Sequence, residues 1–442
     1  MKELYHPSLF PLSEGINSED YVVATYMVAG GAQADIVAKS AALAIEQSSG
    51  SWYAIPGETA EIRARSAAKV IGIYSVPNYE LIAQLPKDQP RYYVLRVAFP
   101  WINFYDNIPL MLSSVIGNIA SMPNLKLLDL EFPESYLLQF KGPKFGIDGL
   151  RKLMNIPERP ILNNMIKPCT GITPSEGAEL FYNASVGGVD WIKDDELIAG
   201  SPAFSPLEKR VKAYMEAAKR ADVEKGEMTL FTANVTDEIV RLRDNAYRAI
   251  EAGANAIMVN VFGIGFSALR MLAEDPNINV PICVHTCYGG AQTVAPNQGM
   301  STEVAQKLIR LCGGDMSLNV APSAKFNALQ EKFVRTWQIG YSQMSHIKQT
   351  FNLVGGGVTP GMVPYLMNTL GNDIIIGVGA GIHGHSMGPK AGATAFRQSI
   401  DATMKGIDLT EAAKTQPELA AAIKTWGIYG VDDYDKLYDL ES

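Results

Sequence analysis

From Pro160 onward, short apolar runs alternate with longer stretches whose apolar residues recur every three or four positions. Runs of the first kind read as buried strands, those of the second as amphipathic helices. Eight strands are expected, at Ile161–Lys167, Val189–Asp195, Thr229–Val235, Ala256–Val261, Pro281–Thr286, Asp315–Ala321, Phe351–Gly355 and Asp373–Val378. Helices are expected between them, among them Ser175–Ala184, Asp237–Ala252, Thr302–Leu311, Gly361–Leu370 and Pro389–Met404. Eight successive βα units predict a (β/α)8 TIM barrel. An open doubly wound sheet is the alternative. The count of eight and the lack of a nucleotide-type glycine loop after the first strand favour the barrel.

The first part of the chain has a different rhythm. After a loose arm, strand-like runs fall at Asp20–Ala29, near Lys69–Val76, at Tyr92–Phe99 and at Leu125–Phe132, with helices at Ala32–Gln47 and near Leu110–Ala120. Strands and helices mixed in this way indicate a small α+β domain, here of the ferredoxin-like kind. Gly142-Pro143-Lys144-Phe145-Gly146 reads as the linker, which gives an N-terminal α+β domain at 1–141 and a barrel domain at 142–442.

A chain of 442 residues accommodates two domains. No apolar run approaches the ~18 residues of a membrane span. Met1-Lys2-Glu3-Leu4-Tyr5 carries no hydrophobic signal region, so the cytoplasm is the expected location. The net charge of −8, with no basic stripe to offset it, argues against a nucleic-acid partner. Phosphorylated small molecules remain compatible with that charge, because backbone amides bind phosphate locally. Cys169, Cys283, Cys287 and Cys312 are expected as reduced thiols.

In a TIM barrel the chemistry gathers at the C-terminal ends of the strands. Polar residues fall at nearly every one of those ends: Lys167, then Lys193 with Asp195 and Glu196, then Asn234, Asn260 and His285, with Lys325 in the loop after the sixth strand. Strand alternation puts Lys193 and Asp195 on one face, with Glu196 at the turn. Two carboxylates with room for a third oxygen ligand suit Mg²⁺. A lysine is an odd neighbour for a cation, and it fits if its amine is carbamylated by CO₂, which exchanges a cation for a carboxylate. Taken alone, the stretch also reads as a capped strand end with a solvated acidic turn. Cys283, His285 and Cys287 alternate along one strand face, a pattern that a soft-metal site would share. Gly355-Gly356-Gly357 and Gly379-Ala380-Gly381 end strands seven and eight, the usual place for a barrel phosphate site.

These motifs together resemble the large subunit of RuBisCO, and more closely the RuBisCO-like proteins of form IV. Lys167-Pro168 with Gly171, Gly187-Gly188 through Lys193-Asp194-Asp195-Glu196, Gly313-Gly314-Asp315 with Lys325 ten residues on, and the run from Gly379 to His385 occur in family order. His285 lies thirty residues before Asp315, as in the family. The resemblance implies Mg²⁺ held by carbamylated Lys193, Asp195 and Glu196. It also implies Lys167, His285, Lys325 and Asn118 as catalytic residues, and Glu46, Ser51, Trp52, Gly356, Gly357, Gly379 and Ala380 around a phosphorylated substrate. Because Glu46, Ser51, Trp52 and Asn118 would serve a neighbouring subunit's barrel, it further implies a homodimer, or an assembly of dimers, with shared sites.

The departures narrow the reaction. Cys169 replaces a lysine of the first-strand motif. Thr286, Leu318 and Gly355 replace the arginine, histidine and serine that hold the second phosphate in RuBisCO. Fixed cationic donors are the strong partners of a phosphate dianion, so their loss implies a substrate with one phosphate. In the methionine-salvage enolases of the family the general base is a lysine where this chain has Asn118. A neutral amide cannot serve as that base. A retained Lys325 and Asn118 favour the class that breaks a carboxylate from a branched 3-oxo sugar-acid phosphate such as 3-oxo-isoapionate 4-phosphate, as decarboxylase or as transcarboxylase and hydrolase. The alternatives are enolisation or isomerisation of a methylthio-ketose phosphate, towards which the Gly361-Met362-Val363-Pro364 region points, and a catalytically silent regulatory protein.

Overall fold

The computed structural model describes residues 6–50, 55–322 and 328–431. Ser51, Trp52 and Lys325 lie outside these described residues. The chain divides into two compact units, one of Met1–Lys141 with Tyr288–Leu311 and Ser345–Ile347, the other of Gly142–Cys287, Cys312–Met344 and Lys348–Ser442.

In the first unit, β1 (Tyr21–Gly30), β2 (Lys69–Val76), β3 (Arg91–Pro100) and β4 (Leu125–Glu131) form an antiparallel sheet in the order β4-β1-β3-β2. With helices Ile36–Glu46 and Ile108–Ile116 in the crossovers, this is the ferredoxin-like arrangement. Val22, Ala24, Tyr26 and Val28 of β1 are buried in strict alternation, the period-two pattern of a one-faced strand. The first helix starts later than expected, because the Asp35 carboxylate accepts the Ala38 amide and caps it. The second stops at Ile116, and a separate 3-10 turn, Asn118–Ser121, follows Gly117.

A fifth strand joins this sheet from far along the sequence. Gln298–Met300 pairs in parallel with β4. Its segment is anchored by the Ser301 amide on the Leu127 carbonyl (2.8 Å) and by Lys307 Nζ on Asp129 (2.6 Å). By sequence position these residues fall in the expected barrel domain, 142–442, yet they pair with the first unit's sheet.

The second unit is a closed parallel barrel. Its strands are β5 (Ile161–Met165), β6 (Trp191–Lys193), β7 (Leu230–Asn234), β8 (Ala256–Asn260), β9 (Ile282–His285), β11 (Met316–Val320), β12 (Phe351–Gly355) and β13 (Ile375–Val378), the label β10 belonging to Gln298–Met300. β13 closes on β5 through Ile375↔Ile161 and Val378↔Asn164. Each expected strand is present, most trimmed by one to three residues. Ile161, Trp191, Leu230, Ala256, Met258, Cys283, Met316, Leu353 and Ile375 share one buried cluster inside the barrel. Inward residues two positions further along each strand therefore approach the mouth. The linker is pinned to this unit: the Phe145 and Gly146 amides donate to Asp315 Oδ1 (2.6 and 3.0 Å), and Lys144 Nζ donates to the Asp275 and Ile278 carbonyls.

Candidate active site

The acidic stretch after β6 sorts its side chains in three directions. Asp194 turns away from the mouth and pairs with Arg210, both fully buried (Arg210 Nε to Oδ2, 3.0 Å), while the Asn234 amide donates to the same carboxylate. Arg210 also donates to the Ser205 and Gly200 carbonyls, so the turn that carries the next two acids is fixed from behind. Asp195 accepts Lys167 Nζ at 2.5 Å. Glu196 lies 3.3 Å from His285 Nε2. Strand β6 ends at Lys193 rather than at Asp195, although the Asp194 amide still donates across to the Thr232 carbonyl (3.0 Å).

Lys193 is buried on the last residue of β6, and its amine donates to the Asp194 carbonyl at 3.1 Å. A buried ammonium bonded to a carbonyl oxygen is poorly compensated. The same amine as a carbamate would instead complete a set of three hard oxygen donors with Asp195 and Glu196. This donor set fits Mg²⁺. Among the described residues no cluster of three or more His, Cys, Asp or Glu side chains has metal-holding geometry. Of the alternating Cys283, His285 and Cys287, Cys283 belongs to the barrel core.

Lys167 bridges Asp195 and Cys169, whose Sγ lies 2.9 Å from its Nζ. Burial opposes its charge, but the bonds to Asp195 and Cys169 outweigh burial and hold the ammonium above the ordinary lysine range. Burial likewise pushes the Asp195 carboxyl upward, and Lys167 with the Leu197 amide overcomes it, leaving the carboxyl below its ordinary range. His285 receives the Cys287 amide on Nδ1 (3.0 Å), so Nδ1 carries no proton and Nε2–H faces Glu196. Burial, reinforced by the charges of Lys193 and Lys167, holds this imidazole well below its usual pKa and therefore neutral.

Two glycine loops open the other side of the mouth. Gly356 and Gly357, after β12, have φ of 98° and 96°, values that side-chain-bearing residues rarely adopt. At Gly379, after β13, a Cβ would meet Lys167 Cε at 3.0 Å, so glycine there lets the lysine run alongside the loop. Ala380 begins the short helix Ala380–His383. His383 Nε2 bonds Asn164 Oδ1 at 3.1 Å, and burial followed by the Lys167 charge lowers its pKa to about 4.

Glu46 and Asn118 lie in the first unit. The helix that ends at Glu46 is tied by Gln47 Nε2 to the Ser113 and Ser114 carbonyls, which brings Glu46 and Asn118 to one edge of that unit. The structure gives two residues contacts that the sequence did not. Cys169 touches Lys167, a contact signalled only by its spacing of two. Asn260 sits in register with His285 on β8, and its buried Oδ1 has no partner among the described residues.

Residues 14–136 match the family model for the N-terminal domain of the ribulose bisphosphate carboxylase large chain, and residues 146–426 match the model for its catalytic domain. The chain belongs to the RuBisCO large-chain family. It is 46% identical to a ribulose bisphosphate carboxylase-like protein of Archaeoglobus fulgidus, over 89% of this chain and 90% of that protein. It is 31% identical to a 2,3-diketo-5-methylthiopentyl-1-phosphate enolase of Bacillus cytotoxicus, over 92% of this chain and 97% of the enolase. Among solved structures, an octameric ribulose-1,5-bisphosphate carboxylase/oxygenase from Pyrococcus horikoshii superposes with a TM-score of 0.85 at 30% identity, covering 95% of this chain and 96% of that one. No helix among the described residues is long and apolar enough to cross a membrane.

Proposed function

We propose that this chain is a Mg²⁺-dependent RuBisCO-like enzyme that breaks the bond between the carboxylate and C2 of a monophosphorylated 3-oxo sugar acid of the 3-oxo-isoapionate 4-phosphate type, and that it does not fix CO₂. The observation that carries this reading is Asn118, an amide where the family's enolases need a basic lysine, combined with a mouth whose proton-carrying groups, Lys167 and His285, are intact. Carbamylated Lys193, Asp195 and Glu196 would hold Mg²⁺, which when bound would supply Lewis-acid polarisation of the ketone oxygen.

The chain's own residues account for the remaining steps. The phosphate rests on the backbone of Gly356, Gly357, Gly379 and Ala380, with Ser51, Trp52 and Lys325 as further partners. Loss of CO₂ leaves the bonding electron pair on the carbon next to the ketone, as an enediolate. Lys167, whose ammonium is held protonated, returns a proton to that carbon, and the neutral His285 offers Nε2–H as a hydrogen bond to the reacting oxygens. Lys325 and Asn118 hold the departing carboxylate. Glu46, Ser51, Trp52 and Asn118 come from the neighbouring subunit of a homodimer or of a higher assembly of dimers.

Enolisation or isomerisation of a methylthio-ketose phosphate is the second reading, favoured by the full-length similarity to the enolases. Incubation with Mg²⁺, bicarbonate and each candidate separates the two. The proposal expects CO₂ release from the branched 3-oxo acid phosphate and no carbon fixed onto ribulose 1,5-bisphosphate. Clear carboxylation turnover would overturn it.

A further inference from the structure

A cleft of about 380 Å³ opens in the first unit, between the turn after helix Ile36–Glu46 and the segment 55–66. Its base is fixed by bonds already made. Ser48 Oγ donates to the Ala44 carbonyl and accepts the Ala68 amide (2.9 Å), and Asn103 Nδ2 donates to the Ser66 carbonyl (2.8 Å). Two lining atoms are left over. Ser49 Oγ and Glu58 Oε1 are buried, and neither completes a hydrogen bond among the described residues. The Glu58 side chain is 3% exposed, and its other oxygen accepts Arg63 Nη2 at 2.6 Å. Burial opposes the Glu58 charge, and Arg63 with Ser49 outweighs it, holding the carboxyl below its ordinary range. Ser49 thus acts from close by without closing a bond to Oε1.

Two open polar atoms side by side select a ligand by the direction of its hydrogen bonds. A hydroxyl answers both, donating to Glu58 Oε1 and accepting from Ser49 Oγ. A phosphate has nothing to donate to a carboxylate oxygen. An ammonium has no lone pair for the Ser49 proton, and it would meet a carboxylate already paired with Arg63. Positive charge is in excess around that arginine, since its charge adds to burial in lowering the Lys69 amine. Ile55 and Ile62 give the cleft an apolar side, and Asn103 keeps Oδ1 as a further acceptor. The volume falls within the range of small-molecule sites, roughly 300–1,000 Å³, well beyond the room of one water. We infer that this cleft binds a small uncharged polyhydroxy compound, with one hydroxyl bridging Glu58 Oε1 and Ser49 Oγ and the carbon chain against Ile55 and Ile62. Binding here requires none of the chemistry proposed above.

The test is saturation-transfer NMR of the full-length protein titrated with ribitol, 1-amino-1-deoxyribitol and ribitol 5-phosphate. Ribitol should bind saturably and more tightly than either charged analogue. Ser49→Ala should weaken ribitol roughly 3- to 10-fold, the range of one neutral hydrogen bond. Ile55→Trp, at a residue 45% exposed, should fill the cleft and abolish saturable binding while the protein stays folded. Absence of saturable ribitol binding to the folded wild type would overturn the inference. So would tighter binding of the amine or the phosphate, or an unchanged ribitol affinity in either variant, which would put the polyol elsewhere on the protein.

Discussion

Lys167 is where the proposed chemistry and the electrostatics meet. Its bonds to Asp195 and Cys169 hold it charged, and Gly379 gives its chain a path along the glycine loop after β13. Lys167→Ala is expected to abolish product formation while the protein still binds Mg²⁺ in the presence of bicarbonate, as read by calorimetry. Turnover at the wild-type rate would remove Lys167 from the mechanism. His383 gives a pH signature. Its folded pKa of about 4 lies below the ordinary value of 6.5, so as pH falls the unfolded chain takes up the proton first. Stability from this group is complete above about pH 6.5 and is lost as pH falls through about 4. The loss is on the order of 3 kcal/mol, at 1.36 kcal/mol per pKa unit. Urea unfolding at a series of pH values should show this slope in the wild type and a shallower one in His383→Gln. At this scale the strand-end residues were legible in the sequence, since polar side chains at barrel strand ends stand out against apolar runs. Strand alternation already separates Asp195 from Asp194 and puts Glu196 at the turn, but the partners of the three acids, 16, 28 and 89 positions away, carry no local signal.

At the scale of elements, the barrel strands were legible because both of their faces are buried, which leaves unbroken apolar runs. Their ends were less so, because apolar and polar residues at a strand end do not mark where the ladder pairing stops, as at Val189–Asp195, where pairing covers only Trp191–Lys193. The turn after β6 depends on the buried Asp194–Arg210 pair. Asp194→Ala leaves the Arg210 guanidinium buried without its carboxylate and should destabilise the protein by about 3–5 kcal/mol. Thermal or urea unfolding checks this, and a change within 0.5 kcal/mol would mean the pair is not what fixes the turn. Gln298–Met300 was invisible to pattern reading. Three residues including a glycine carry no periodicity, and pairing with β4 is fixed by contacts more than 160 residues apart in sequence, such as Lys126 with Thr293.

For the whole molecule, the decisive feature is that Glu46 and Asn118 stand on the first unit and the proton-carrying groups on the second. If sites are shared between subunits, inactive Lys167→Ala and inactive Asn118→Ala proteins should regain activity when dissociated and reassembled together, because each mixed dimer carries one site free of both changes. A mixture that stays inactive despite demonstrated subunit exchange would count against sharing. The central claim, carbon–carbon cleavage of a one-phosphate substrate, is tested most directly by ¹³C and ³¹P NMR of the protein with Mg²⁺, bicarbonate and carboxyl-labelled 3-oxo-isoapionate 4-phosphate. The account predicts loss of the carboxylate carbon from the substrate together with a single new phosphate-ester resonance. An unchanged carboxylate signal under conditions where the carbon beside the ketone of a methylthio-ketose phosphate exchanges with deuterated solvent would contradict it.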